Sequence, residues 1–391
     1  MDTRVQPVQS AELPVMPDTM AKLVKMIDAG DPYNLIYETI TKSDLVDAIE
    51  NKSFLDRNLL WELFHSMSRP LLRSVLMKTL GPDLYDRDFT SKQNWEHIYG
   101  PDGPGAYVVF LCIRERDGKF LNVKELKELI EQIGIYADAV DISEKNGRDG
   151  VYRSNSEFAD EEEATLRRAM EIDNVDRSKV KHLRLYKPRF ASSSNHNKSA
   201  NIRDLVTMLE KRILPNVDED VWQMQSPLLV GNAGNIASRA IDHIPKSSNS
   251  TLPSSAHVWR LLISCLRVMG IKFDTQYAPL FRAWAGADQV NGAEVLGTIL
   301  AGSLISVDGC NVKQPGTRTG SDGAKTPTNA YDDEMVSKVK QKKADVEAFK
   351  ARLKEAIKET KANLLNIEER WRPRLTNDGP EEGDDGEEDD D

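Results

Sequence analysis

The sequence predicts a mostly α-helical protein: two helical lobes, an extended N-terminal arm, one long helix towards the C-terminus and a disordered acidic tail. Three observations predict it. Apolar residues recur at three- and four-residue steps between short breaks of Gly, Pro and Ser. Hydrophobic residues make up 39% of the chain but aromatics only 7%, a balance that suits an extended helical protein better than a dense enzyme. Finally, ten acidic side chains with no base gather in residues 378–391, a stretch that has nothing to bury.

A chain of 391 residues has room for two or three domains and a sizeable core. No run of eighteen apolar residues exists, so no membrane partner is expected, and Met1–Pro17 has no apolar signal core. Cys112, Cys265 and Cys310 form no CxxC pair and read as reduced core or loop thiols. The net charge is −11, or −1 once the ten tail acids are set aside, so the location of the positive charge matters more than its total.

Residues 1–17 hold Pro7, Pro14 and Pro17 with little periodicity and read as an extended arm or a disordered terminus. A helical lobe is expected over 18–244. Its first helix starts at Asp18 or Thr19, aligns Met20, Leu23, Val24 and Ile27, and stops at Gly30. Three more helices follow: Ser43–Glu50, a stretch around Leu59–Phe64, and Leu71–Leu80, the last stopped by Gly81-Pro82. The apolar run 106–113 fits a buried strand turning at Asp117-Gly118, or equally a buried helix. Helices are expected at Leu121–Ile133 and Glu157–Ile172, with a polar loop between.

Residues 179–212 carry nine bases against two acids, a net of +7. Tyr186, Phe190 and His196 are interleaved, and Ser192-Ser193-Ser194-Asn195 forms a loop in the middle. Charge for counterion release, hydroxyls for fixed contacts and rings for stacking are what a phosphate backbone requires. A solvated charged face is the plainer reading. Ile202–Leu214 is a helix ending at Pro215. Gly231-Asn232-Ala233-Gly234-Asn235 lacks the Gly-Lys-Ser/Thr ending of a phosphate loop, so it reads as a helix boundary near Asn235, with Arg239 on the next helix.

Residues 245–255 read as a linker that opens a second helical lobe over 245–331. Ser255 caps a helix whose Val258, Leu261, Leu262, Cys265, Leu266 and Met269 form one stripe, leaving Arg260 and Arg267 on the opposite face. With Lys272, Tyr277 and Arg282 they make a second positive surface. Val290–Val307 is a tightly packed helix of small residues. A Gly- and Pro-rich loop over 308–331 follows, carrying Lys313, Arg318 and Lys325. The longest helix is expected over 332–373, roughly 60 Å at 1.5 Å per residue, docking on its own or a neighbouring subunit; the tail is 374–391.

The segment Phe273–Gly286 resembles the central signature of nucleoproteins from non-segmented negative-strand RNA viruses. Tyr277, Phe281 and Gly286 stand at that family's spacing. Phe273 lies one residue too close to Tyr277, Arg282 replaces a Ser, and Trp284-Ala285 replace Ala-Met. Size and motif point, within that order, towards the fungal mymonavirus group. The resemblance implies a bilobed helical fold that clamps single-stranded genomic RNA between its lobes, without sequence preference, in a homo-oligomer whose subunits exchange terminal arms. It implies a virion nucleocapsid or host-cytoplasmic location. Tyr277 is the groove residue carried over by motif position, and Arg282 adds a phosphate contact. Lys187, Arg189, Lys198, Arg203, Lys211 and Arg212 supply the first lobe's cationic wall, with Arg239, Arg260, Lys272 and Arg318 as further RNA contacts. The acidic tail is the candidate contact for a polymerase or its cofactor.

No zinc spacing, P-loop, GxSxG or HExxH motif occurs, so neither an enzyme nor a bound metal or cofactor is expected. Two other readings stay open: the capsid subunit of a flexible filamentous positive-strand RNA virus, and an RNA-free helical adaptor.

Overall fold

Nine consecutive apolar or small residues, Gly105–Ile113, form strand β1, and every one of them is buried. In a strand, neighbouring side chains leave by opposite faces, so an unbroken apolar run requires a packed layer on each side. The computed structural model of the chain meets that requirement. Ala106, Val108, Phe110 and Cys112 enter one hydrophobic cluster; Tyr107, Val109, Leu111 and Ile113 enter another.

The structure describes residues 17–50, 58–85, 102–148, 159–175, 186–192, 197–215, 217–244, 256–284, 287–316, 341, 344, 347–348 and 350–366. The arm 1–16, the basic positions Lys179, Lys181 and Arg184, the loop 193–196, the linker 245–255, residues 317–340 and the acidic tail lie outside them. The chain forms two compact units, Met1–Pro327 and Thr328–Asp391.

In the first unit, one helical layer comprises α1 (Asp18–Asp28), α2 (Tyr33–Thr41), α3 (Asn58–Ser66), α4 (Arg69–Met77) and α5 (Leu80–Tyr85). The second comprises α6 (Val123–Arg148), α7 (Asp160–Asn174), α8 (Ala200–Glu210), α9 (Ile236–Ile241) and α10 (His257–Val268). Between them lies a three-stranded antiparallel sheet in the order β2-β1-β3, with β2 at Leu229–Ala233 and β3 at Phe273–Arg282. The final helix of this unit, α11 (Ala287–Ala301), returns to the first layer through Ala293, Val295, Leu296, Ile299 and Leu300. The protein is thus mostly helical around a small sheet.

Local chemistry accounts for most boundaries. The Ser68 hydroxyl accepts from the Leu71 amide at 3.3 Å to start α4, and Lys78 in the left-handed region, φ 57°, ends it. Gly81-Pro82, read from sequence as a stop, instead lies in the first turn of α5, where a missing amide costs nothing. Gly81 and Gly118 touch backbone to backbone: a Cβ on Gly118, φ +77°, would lie 2.3 Å from the Gly81 carbonyl. The expected helix Ser43–Glu50 shrinks to a 3-10 turn at Asp44–Val46, and α2 is an additional helix.

The signature segment differs most from expectation. Placed by sequence in a helical lobe, Phe273–Arg282 is a strand paired along β1 from Ile113 to Gly105. Pro279 is tolerated because β3 is an edge strand and the register shifts beside it, between Ala106 and Tyr107. The second half of the chain therefore shares its sheet with the first. Gly231 sits opposite Tyr107 because a Cβ there would lie 2.7 Å from the Tyr107 hydroxyl. Asn235 caps α9, accepting from the Ser238 amide at 3.0 Å, as the sequence reading placed it.

Helix α11 ends at Ala301, short of the expected Val307, with Gly302 at φ +53°. The loop that follows is tied down as far as residue 316. The Asn311 side chain donates to the Val230 carbonyl at 2.7 Å and accepts from the Val230 amide at 2.8 Å. Gln314 donates to the Ala48 carbonyl at 3.0 Å.

Candidate nucleic-acid interface

The basic segment is fastened to the second layer by one buried carboxylate. Asp173 on α7 accepts from the Tyr136 hydroxyl at 2.8 Å, the Tyr186 hydroxyl at 2.9 Å and the Arg189 amide at 3.0 Å; the Tyr136 oxygen accepts from the Phe190 amide at 3.0 Å. Burial raises the Asp173 pKa, against the lowering pull of those donors, and raises both tyrosines. Tyr186 and Phe190 are therefore core residues rather than exposed stacking platforms. Two guanidiniums lie over the Phe190 ring, Arg189 at 5.2 Å and Arg260 at 5.5 Å. Arg260, expected on the open face of α10, is buried because Val258–Leu266 is covered on all sides.

Most of the other expected contacts meet the protein's own carboxylates. Arg203 on α8 pairs with Asp138 and Asp141 of α6, and Lys198 with Glu144 of the same helix at 3.6 Å, so these charges dock α8 on α6. Arg239 pairs with Asp242 at 2.9 Å and Lys272 with Glu115 at 3.3 Å. These five are surface pairs, each contributing about 0–1 kcal/mol, and a phosphate can compete for them. Arg282 is different. It is fully buried at the end of β3, and desolvation pulls its pKa down to about 10 despite the upward pull of Asp102. At neutral pH it keeps its charge, covered by the surrounding protein.

Arg212 is buried as well. Its Nε lies 2.6 Å from the Asp308 carboxylate, and its terminal nitrogens donate to the Gln225 and Asp308 carbonyls, each at 3.2 Å. Lys78 donates to the same carboxylate at 2.5 Å. Burial pushes Asp308 up, but Arg212 and Lys78 more than offset it and hold the carboxyl below its usual range; burial pulls Lys78 down. This cluster joins the end of α4, the end of α8 and the turn after α11.

Three expected residues remain presented. Lys187 and Lys211 are exposed, with no carboxylate partner among the described residues. Tyr277 is half-buried on β3, opposite Val109, packed against the second-layer core. Arg318 lies outside the described residues.

Sequence reasoning passed over a further cationic surface. Residues 350–366 are helical and exposed at every position, with Lys350, Arg352, Lys354, Lys358 and Lys361 against Glu355 and Glu359. Leu353, Ile357 and Leu364 leave an apolar stripe open to solvent, at exposures of 50%, 48% and 57%. Charge counted per helix, rather than over the whole C-terminal region where the acidic tail cancels it, would have found this surface. Among the described residues, no group of three His, Cys, Asp or Glu is placed to hold a metal, and no helix is long and apolar enough to cross a membrane. No protein-family model, curated protein or solved structure matches the chain.

Proposed function

We propose that the chain is a nucleoprotein that polymerises along single-stranded RNA and binds it through phosphates, without sequence preference. The helix over 350–366 carries this reading. Helices in proteins draw most of their stability from packing an amphipathic face, so an open stripe of Leu353, Ile357 and Leu364 calls for a protein neighbour. Five cations against two acids over 350–366 suit a polyanion, with Lys350 and Lys358 meeting Glu347 and Glu355 in exposed pairs at 2.8 and 3.5 Å that a phosphate can displace. A second copy on the stripe and RNA along the cations account for both features. The first unit offers cations of its own in Lys187 and Lys211, and Lys198 and Arg203 become available by exchanging carboxylate for phosphate. In this reading the helical layers on either side of the sheet correspond to the two lobes, the virion nucleocapsid is the location, and the acidic tail meets the polymerase machinery.

The test is the 260/280 nm absorbance ratio of the purified protein, before and after high salt and ribonuclease, with light scattering on the same sample. Nucleic acid that co-purifies with large particles supports the reading. Clean monomers that stay monomeric and unbound when a short RNA is added refute it. A second reading, an RNA-free adaptor, is favoured by the number of expected RNA contacts spent on the protein's own carboxylates: Lys198, Arg203, Arg212, Arg239 and Lys272. A triple variant Lys354→Gln, Lys358→Gln, Lys361→Gln separates the two. It lowers RNA affinity and flattens its salt dependence in the first reading and changes neither in the second.

A further inference from the structure

A cavity of about 420 Å³ lies within the first unit, where the C-terminal ends of α4, α8 and α11 converge. Its size falls in the range of small-molecule sites. Most of its wall is apolar, from Met20, Leu45, Ile49, Leu76, Ile299 and Leu304. Its polar groups are few. Lys78, Lys211 and Arg212 line it against Asp44 and Asp308, leaving one positive charge in excess. The Asp308 carboxylate holds Lys78 and Arg212 in place, and the Gln225 and Asp308 carbonyls accept from the Arg212 guanidinium.

Two donor groups at this wall are not used up. The Lys78 ammonium has three N–H bonds and spends one on Asp308, although the side chain is only 8% exposed. The Thr298 hydroxyl is 1% exposed and, among the described residues, has no hydrogen-bond partner. Both line the cavity. Thr298 is one helical turn before Gly302, and the Lys78 Nζ sits against Gly302, 3.2 Å from where a Cβ would be. A buried donor without an acceptor is unfavourable, so a wall that keeps such donors beside an apolar cavity is suited to a ligand that brings the acceptor.

We propose that this cavity binds a small amphipathic carboxylate, its head accepting from the Lys78 ammonium and the Thr298 hydroxyl and its hydrocarbon body lying against Met20, Leu76 and Ile299. One carboxylate supplies two acceptor oxygens and cancels the single excess charge. The site is separate from the RNA reading: it belongs to the first unit, and apart from Lys211 at its edge it uses no residue presented to RNA.

The test is isothermal titration calorimetry of the full chain with decanoate below its micelle threshold, with decanol as the uncharged control. One saturable site per chain is expected for decanoate, with decanol at least tenfold weaker. Thr298→Val, which keeps shape and removes the hydroxyl, weakens decanoate three- to tenfold, and Ala48→Trp, which fills the cavity, abolishes binding. Lys78→Met removes the charge preference; should that variant fail to fold, Thr298→Val and the decanol control decide alone. Absence of a saturable decanoate site, equal affinity for decanol, or unchanged affinity in both Thr298→Val and Ala48→Trp overturns the proposal.

Discussion

Asp308→Asn is the most discriminating single change for the account of the fold. Among the described residues, the Asp308 carboxylate is the one acid bonded to both Lys78 and Arg212, and both cations are over nine-tenths buried. Removing its charge leaves two buried cations facing one amide. Breaking a buried ion pair by deleting one partner costs about 3–5 kcal/mol, and the lower end applies because the Asp308 side chain retains 30% exposure. For a unit of this size about 1 kcal/mol corresponds to roughly 2 °C, so the melting temperature falls by about 6 °C at pH 7. The sign with pH follows from the depressed carboxyl. A group whose folded pKa lies below its ordinary value stabilises above that value and loses the contribution as pH falls through the folded one. The gap between parent and variant is therefore full at pH 7 and closes in acid. Differential scanning calorimetry at pH 7 and pH 2 checks both statements. A shift under 1 °C at pH 7, or an equal shift at both pH values, refutes the reasoning.

Three further outcomes are expected. Tyr136→Phe removes a donor to Asp173 and the acceptor of the buried Phe190 amide, and costs about 1–3 kcal/mol by urea denaturation with an unchanged m-value. Gly118→Ala forces φ +77° on a Cβ placed 2.3 Å from a backbone oxygen with little room to yield, so it destabilises by at least about 1–3 kcal/mol; wild-type stability in that variant would discount the Gly81–Gly118 contact. All three cysteines are buried, with burial pushing Cys112 and Cys310 up to about 12 and Cys265 higher still. Iodoacetamide at pH 8 accordingly labels none in the native protein and three in urea, read by mass.

The helical character of the chain was legible because amphipathic period and caps coincide, as at Met20–Ile27 and at Asn235. Helix α2 is equally legible in Tyr33, Ile36, Tyr37 and Ile40, a three-and-four pattern that begins directly after Pro32, a residue compatible with a helix start. The sheet was half legible. An apolar run such as 106–113 cannot be told from a buried helix by periodicity, and only its partners decide. Those partners, β2 and β3, carry Gly231 and Pro279, residues that argue against strands until Tyr107 and the edge position explain them. The interface was least legible. A count of +7 says nothing about which acids lie opposite, and Asp138, Asp141 and Glu144 sit some sixty residues earlier on α6. Arg260 and Arg282 were misjudged for a related reason: a polar residue within an apolar neighbourhood reads as surface until its burial is known.

The return of α11 to the first layer has a consequence for synthesis. Helices α1–α5 leave the ribosome early, yet the side chains that close their apolar face arrive with Ala293–Ala301, more than two hundred residues after the end of α5. Strand β1 likewise waits for partners beginning at Leu229 and Phe273. At translation rates of about 5–20 residues per second that interval is on the order of ten to forty seconds, during which the nascent half-layer has β1 against it but lacks α11. The chain therefore acquires its native topology late, and a fragment ending before Ala301 keeps an uncovered hydrophobic flank for which chaperones and other nascent copies compete.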